Sequence, residues 1–352
     1  MVSSFSSRAG AVGTPPEHYG NPLGEQKSLA AGLSIVDLSD RAVITVTGPD
    51  RLTWLDSLTS QSLTGMQPGD SAESLLLDPT GRLEHAIRIV DDGVTSWLLV
   101  DAAQADSLLA WLSRMVFMLR VEVAASSLQT VGTLGTLDLP TAAPNGVAVV
   151  WVDPWVQVAA GGHQYALAEQ HPASAWTYRE VLVEPGVDLS GFPAAGTLAL
   201  EALRIAAWRP RLSTEADDKT IPHELDWLRS AVHLSKGCYR GQETVAKVHN
   251  LGHPPRRLVM LHLDGSEGVL PSAGDEVLLH DAVIGRITSV GIHYELGPIA
   301  LAVVKRSAST DADFIVRADD TLVAAAQEVI VPPGAGAEAN VPRLPRLGAV
   351  PR

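Results

Sequence analysis

The spacing of apolar residues along this chain predicts short strands interleaved with a few amphipathic helices, an α+β pattern. The first strand is Ala42-Val43-Ile44-Thr45-Val46-Thr47, ended by Gly48-Pro49-Asp50. Asp50 is expected to cap the next helix, which puts Leu52, Leu55 and Leu58 on one face. Residues 74–77 read as a second strand, turning at Asp78-Pro79-Thr80-Gly81 into a partner over 83–90. A third strand over 96–100 precedes an amphipathic helix over 102–114. This order calls for hairpins rather than parallel crossovers.

Further on, short strands are expected at 146–152 and 156–160, a helix at 197–208 and a polar loop at 210–220. From 257 to 331 the pattern is strand after strand (258–263, 276–279, 283–290, 299–304 and 314–317), punctuated by Gly and Pro as in a small antiparallel barrel. The expected organisation is a flexible leader over 1–27, α+β units over 28–120 and 121–256, a β-barrel over 257–332 and a disordered tail over 333–352. Neither a Gly-x-Gly-x-x-Gly after a strand nor a phosphate-binding Gly-rich loop occurs, which speaks against a doubly wound nucleotide fold.

Composition narrows the class of function. The 352 residues carry a formal net charge of −14, which disfavours non-specific binding to nucleic acid or anionic membranes. The longest apolar runs are far below the roughly 18 residues that span a bilayer, and the first residues lack a signal-peptide pattern. Cys238 is the single cysteine, so internal disulfides are impossible and a reducing, cytoplasmic setting is expected.

One stretch departs from the acidic average. Between Trp227 and Arg257 stand Arg229, Lys236, Arg240, Lys247, Arg256 and Arg257 against Glu243 alone, a local balance that predicts a site for an anionic partner. Inside it runs Lys236-Gly237-Cys238-Tyr239-Arg240-Gly241-Gln242-Glu243. The two glycines let the backbone turn on either side of Cys238, and a helix is expected from Gln242, with Glu243 in its first turn. A thiol just ahead of a helix, between two cations, is a candidate reactive thiol; the competing reading is a buried structural cysteine. One thiol cannot hold an iron–sulfur cluster, which takes about four ligands. His249 and His253 do not complete a metal site, because Gly252 and Pro254 break the helix that would align them. No metal site is expected.

The run Lys236–Glu243 resembles the Lys-Gly-Cys-Tyr-x-Gly-Gln-Glu signature of YgfZ-type folate-binding proteins, within the superfamily of the glycine cleavage T-protein. Leu203-Arg204-Ile205 with Thr220-Ile221-Pro222-His223-Glu224, the run Val46–Arg51, and Val283-Ile284-Gly285-Arg286-Ile287-Thr288-Ser289 are similar to further segments of that superfamily. Together they span about 33–331. The resemblance implies three domains in a ring around a folate pocket, tetrahydrofolate as the bound cofactor, and a role in assembling or repairing [4Fe–4S] enzymes, a tRNA-methylthiolating one among them. Iron–sulfur enzymes or cluster-assembly proteins would then be the partners. It also assigns Lys236, Gly237, Tyr239, Arg240, Gly241, Gln242, Glu243 and Arg204 to folate binding, with Cys238 as the reactive group.

Two departures bear on the alternative function, aminomethyl transfer. T-proteins carry aspartates in the second strand of the hairpin, where this chain has Glu84-His85-Ala86. They also follow Leu-Arg-Leu with a pterin-reading Glu and then Ala-Gly, where this chain has Ala206, Ala207 and Trp208. A carboxylate would pair with the pterin's amidine edge through two charge-assisted hydrogen bonds. Its loss points away from a classical aminomethyltransferase. A third reading makes the basic stretch a docking module for an acidic protein or tRNA.

Overall fold

A computed structural model describes residues 5–266 and 268–339. The elements run α1 (Pro22–Ala30), β1 (Ile35–Asp37), β2 (Arg41–Thr47), α2 (Arg51–Leu58), β3 (Ser71–Leu77), β4 (Leu83–Asp91), β5 (Thr95–Asp101), α3 (Ala102–Arg114), β6 (Glu122–Ser126), β7 (Gln129–Leu134), β8 (Val150–Val152), β9 (Tyr178–Val183), β10 (Ala194–Ala195), α4 (Thr197–Ala206), α5 (Leu212–Glu215), α6 (Leu228–Ala231) and α7 (Gln242–Leu251). The strands β11 (Arg256–Leu263), β12 (Glu276–Leu279), β13 (Ala282–His293), β14 (Gly297–Lys305), β15 (Phe314–Ala318) and β16 (Thr321–Val329) follow. These strands make three bodies: an antiparallel sheet in the order β3-β4-β5-β2-β6, a second sheet in the order β10-β1-β7-β9-β8, and a closed barrel, β11-β14-β13-β12-β15-β16. The α+β class and the antiparallel barrel are as the sequence pattern predicts.

The first sheet is apolar on both faces, which explains why β5 reads as an unbroken apolar run. Ile44, Val46, Ile87, Ile89, Leu98 and Val100 pack under Trp54 and Leu55 of α2 and Leu108 and Leu112 of α3. Val43, Leu75, Leu77 and Leu99 face the main core instead. Asp50 precedes α2 but does not cap it. Its carboxylate is taken by the backbone N–H and guanidinium of Arg120, whose charge-assisted bonds outcompete a single amide.

Several expectations need correction. No strand forms over 156–160: Asp153 caps a short 3₁₀ turn at Pro154–Val156, and Ala159 N–H bonds Arg229 instead of a neighbouring strand. The second sheet is carried by β7 and β9; β7 mixes polar residues with a glycine, and β9 sets adjacent charges before a short apolar run, so neither alternates clearly. The barrel needs β16 to close against β11, and its alanine-rich run hid it. The loop over 210–220 contains the single turn α5.

The leader is not loose. Phe5 is buried among Ile35, Val131, Leu139, Val181, Val183 and Leu189. Arg8 donates to the carbonyls of Phe192 and Leu189, both at 2.7 Å. Glu25 takes the N–H groups of Tyr19, Asn21 and Gly196, and Gln26 reaches Ile292 and Tyr294 of the barrel. Backbone-directed polar contacts of this kind leave no periodic mark in a sequence. The chain start also joins the second sheet rather than the first, since β1 pairs with β7 and β10. At the other end, residues 337–339 donate to the last carbonyls of α7; the rest of the expected tail, 340–352, lies outside the described residues.

Phe5→Ala should therefore lower unfolding stability by about 3 kcal/mol, the usual cost of emptying an aromatic site, measured by denaturant titration. An unchanged midpoint would mean that the leader contributes nothing.

Candidate functional site

The signature residues form a loop laid across the first sheet and its helices. Lys236 is turned inward: its ammonium donates to the carbonyls of Thr59 (2.9 Å), Gln61 (2.8 Å) and Asp56, and stands 3.3 Å from the Asp56 carboxylate. Those carbonyls lie at the end of α2 and just beyond it, so the lysine fastens the loop to that helix. Tyr239 is buried in the main core. Arg240 makes a two-pronged pair with Glu84 (2.6 and 3.1 Å) and lies over the Trp111 ring of α3. Gln242 reaches back to the carbonyls of Lys236 and Gly237, closing the loop on itself.

Gly241 is the tightest point. Its φ of 82° is left-handed, and a Cβ there would stand 2.7 Å from the Asp78 carbonyl and 3.0 Å from Gly81. Gly81, also left-handed, meets Thr244 of α7 in the same way. The β3–β4 turn and the start of α7 thus approach closely because neither glycine has a side chain. The product of these contacts is a fixed loop with Gly237, Cys238 and Glu243 at the surface. Cys238 is exposed, so the structural-cysteine alternative is set aside. The two cations expected beside the sulfur are both spent, Lys236 on carbonyls and Arg240 on Glu84.

The basic stretch dissolves in the same way. Arg229 is buried against the carbonyl of Trp155 and the side chain of Gln164, Arg256 is held by Asp217 and Glu224, and Arg257 lies wholly inside the barrel. Of the six basic residues, Lys247 alone is exposed. An anion-binding face is not what this segment builds, because its charges serve the interior. His249 and His253 do not meet either: His249 accepts from or donates to the Tyr165 hydroxyl at 3.0 Å, and His253 faces the Ala335 carbonyl. Among the described residues no group of acidic, His or Cys side chains is arranged to hold a metal.

Arg204 stands elsewhere, in a buried lattice of charge where the three bodies join. It pairs with Glu201 (2.5 Å) and Glu215 (2.9 Å) and donates to Ser289 of the barrel at 2.6 Å. Arg211 pairs with the same Glu201 (2.6 Å). Arg209 holds Glu73 (2.7 Å) of the first sheet and Asp153 (2.9 Å), which directly follows β8 of the second. Arg41 and Arg88 of the first sheet meet Glu180 of the second and Asp101. Burial alone would raise the carboxyl of Asp101, but Arg41 and Arg88 outweigh it and hold it down at about 2. Burial is likewise outweighed at Glu201, held at about 2 by Arg204 and Arg211.

This junction tests whether a folate fits where the resemblance implies. The cavity bounded by Arg41, Arg88, Trp176, Tyr178, Arg209 and Arg211 is about 30 Å³, room for one or two waters against roughly 300 Å³ or more for a ligand site. Ala86, in the stretch Glu84-His85-Ala86 that the resemblance sets against the T-protein aspartates, and Ala206, which it sets against the pterin-reading Glu, pack against the main apolar core together with buried Trp208. Trp208 has a left-handed φ of 58°, at the place where T-proteins have glycine. Glu84, the remaining carboxylate nearby, is tied to Arg240. This cavity is too small for a pterin.

Comparison with known proteins agrees with the fold. Residues 256–333 match the glycine cleavage T-protein C-terminal barrel domain. An aminomethyltransferase of Rippkaea orientalis is 27% identical over 317 residues, covering 83% of this chain and 84% of the relative. The tRNA-modifying protein YgfZ of Serratia proteamaculans is 26% identical over 253 residues, 70% and 76% of the two chains. The glycine cleavage system aminomethyltransferase T of Bartonella henselae superposes with a TM-score of 0.70 at 17% identity, over 96% of each chain. The chain carries the C-terminal barrel domain of the glycine cleavage T-protein, and over most of its length it is similar to both aminomethyltransferases and YgfZ proteins. Identity to aminomethyltransferases and to YgfZ proteins is nearly equal, at 27% and 26%.

Two pH effects follow from the buried carboxyls. Asp101 and Glu201 sit lower in the folded chain than unfolded, so they add stability above about pH 4 that drains away as pH falls toward about 2; acid titration of the unfolding midpoint should show this loss. Asp226 is the opposite case. Burial pushes its carboxyl up to about 7, with one oxygen bonded by Tyr165 N–H and the other unpartnered. Its contribution is lost as pH rises from about 4 through 7. Asp226→Asn keeps the left-handed backbone accessible and should raise stability at pH 8 by up to about 4 kcal/mol, with little change at pH 4; equal effects at both would refute the assignment.

Proposed function

We propose that this chain is a YgfZ-type cytoplasmic factor for the assembly or repair of [4Fe–4S] enzymes, a tRNA-methylthiolating enzyme among them, and that it works through the Cys238 loop. The observation that carries this reading is the division of labour in the signature. Lys236, Tyr239, Arg240, Gly241 and Gln242 are all spent on holding the loop, and what they present is an exposed sulfur on a rigid support. An exposed thiol serves a macromolecular client better than a metabolite enclosed in a pocket. A single thiolate supplies at most one of about four ligands that a cluster needs, so its part is a transient one on a cluster shared with the client. The name carried by the YgfZ relatives, tRNA-modifying protein, supports the tRNA side of the proposal. No helix among the described residues is long and apolar enough to cross a membrane.

Aminomethyl transfer is the weaker reading despite the identity to aminomethyltransferases. On the second strand of the hairpin the one carboxylate of the Glu84-His85-Ala86 stretch is committed to Arg240, and Ala86 packs against the core. Tetrahydrofolate remains part of the proposal through the resemblance, as a bound ligand away from the closed junction.

A deletion strain complemented with the wild type or with Cys238→Ser tests the proposal. The serine variant should fold normally, with a Tm within about 2 °C, the small shift of an exposed substitution, yet fail to restore [4Fe–4S] enzyme activity under oxidative stress or methylthiolated tRNA nucleosides. Full rescue by Cys238→Ser would overturn it, and methylene-tetrahydrofolate formation with a lipoylated carrier protein would favour the aminomethyltransferase.

A further inference from the structure

Among the described residues, the turn between α3 and β6 holds the longest run of large apolar side chains left in water. Phe117, Met118 and Leu119 are 80%, 99% and 42% exposed. The turn is not loose. Leu119 N–H closes on the Val116 carbonyl at 3.1 Å, and Trp54 Nε1 of α2 donates to the Met115 carbonyl at 3.1 Å. Met115 and Val116 pack with the helices of the first sheet, and Asp50 holds the Arg120 guanidinium at 2.6 Å. Phe117 has a left-handed φ of 44°, a strained conformation for a bulky residue. The fold thus spends backbone strain and exposed apolar area together to hold these side chains outward, which marks a contact surface.

Charge on the surrounding face decides what covers it. Asp50 and Asp56 of α2 are taken by Arg120 and Lys236, and Arg240 by Glu84. Glu243 has Lys247 one helical turn away on α7. Glu122 follows the turn, but Val123 packs toward the helices, so Glu122 points to the opposite side of β6. Asp106 stands more than two turns back along α3 from Arg114. What remains is Arg114, exposed and without an ion pair among the described residues. A nucleic acid or an anionic membrane is held by several unpaired cations, and this face has one, in a chain of net charge −14. A two-fold pair of copies would set Arg114 against a face with no free acid. A protein partner with an apolar pocket and a carboxylate at its rim answers both features.

The same helices carry the Cys238 loop. Lys236 fastens that loop to carbonyls at the end of α2, and Arg240 lies over Trp111, one turn before Arg114, while Arg120 ties the apolar turn to the start of α2. Helix α2 has 8 residues, or about 12 Å, short enough for one partner burying about 800 Å² a side to cover both. We propose that Phe117, Met118 and Leu119 are the apolar anchor on which a protein partner of this kind docks and, resting on the Cys238 reading above, that this partner is the iron–sulfur client brought to the thiol.

A deletion strain complemented with the full-length chain tests this. Phe117→Asn/Met118→Ser removes the anchor, and Asn accepts a left-handed backbone more readily than Phe, so Tm should stay the same or rise. Rescue of [4Fe–4S] enzyme activity should nevertheless fall at least about tenfold, or 1.4 kcal/mol, with the rate of Cys238 alkylation by iodoacetamide unchanged. A photo-crosslinker at the tip, Met118→p-benzoylphenylalanine, should join the chain to an iron–sulfur enzyme, and Arg114→Glu should reduce the yield. If Cys238→Ser abolishes rescue and the double variant does not, the docking turn falls and the Cys238 reading stands. An Arg114-dependent adduct with a protein that holds no cluster, together with full rescue by Cys238→Ser, keeps the turn and removes the client. Adducts with a second copy of the chain, or sedimentation with phosphatidylglycerol vesicles that the double variant loses, overturn the proposal.

Discussion

The buried arginine–carboxylate lattice at the junction of the three bodies is the constraint on which the rest of the structure depends. Arg41 and Arg88 reach from the first sheet to Glu180 in the second; Arg209 holds Glu73 of the first sheet and Asp153 just past β8 of the second; Arg204 reaches Ser289 in the barrel. Ions cost several kcal/mol each to bury, and only near-complete pairing offsets this. Apolar contacts would hold the bodies together at many relative positions, whereas bidentate ion pairs fix the geometry. Removing one member leaves its partner charged and buried, a loss of about 3–5 kcal/mol. The same lattice lines the small cavity at the junction, which at about 30 Å³ leaves no room for a pterin.

The Cys238 loop follows a related logic on a smaller scale. Its cations are anchors: one is wrapped by carbonyls around the end of α2 and the other is clamped between Glu84 and Trp111. The glycines permit contact with the β3–β4 turn that any side chain would prevent. A loop built this way does not need a ligand to order it. It presents its sulfur permanently, which suits an encounter with a large partner.

The relation to aminomethyltransferases becomes intelligible in these terms. The fold is shared along nearly the whole chain, while Ala86, Ala206 and Trp208, at the places where the resemblance would put polar groups or glycine, belong to or pack against the main apolar core. A scaffold can keep its layers and lose a pocket by a few substitutions that trade carboxylates for apolar volume.

Local periodicity determined what depends on neighbouring residues: the hairpin over 74–90, the helix over 102–114, five of the barrel strands, the helix from Gln242, and Cys238 between two glycines. Those features were legible because alternation, turn residues and helix spacing are written within a dozen positions. The sequence did not reveal the packed leader, the strands β7, β9 and β16, or the partners of the cations. Leader contacts run from side chains to distant backbone carbonyls, β7 and β16 carry too much glycine, alanine or polar residue to alternate clearly, and a charge has no preferred direction until the chain is folded. Composition therefore counted Lys236, Arg240, Arg229 and Arg256 as a surface patch, and only the tertiary structure turned them inward, because a buried carbonyl or carboxylate holds a cation more firmly than exposed ones do in water.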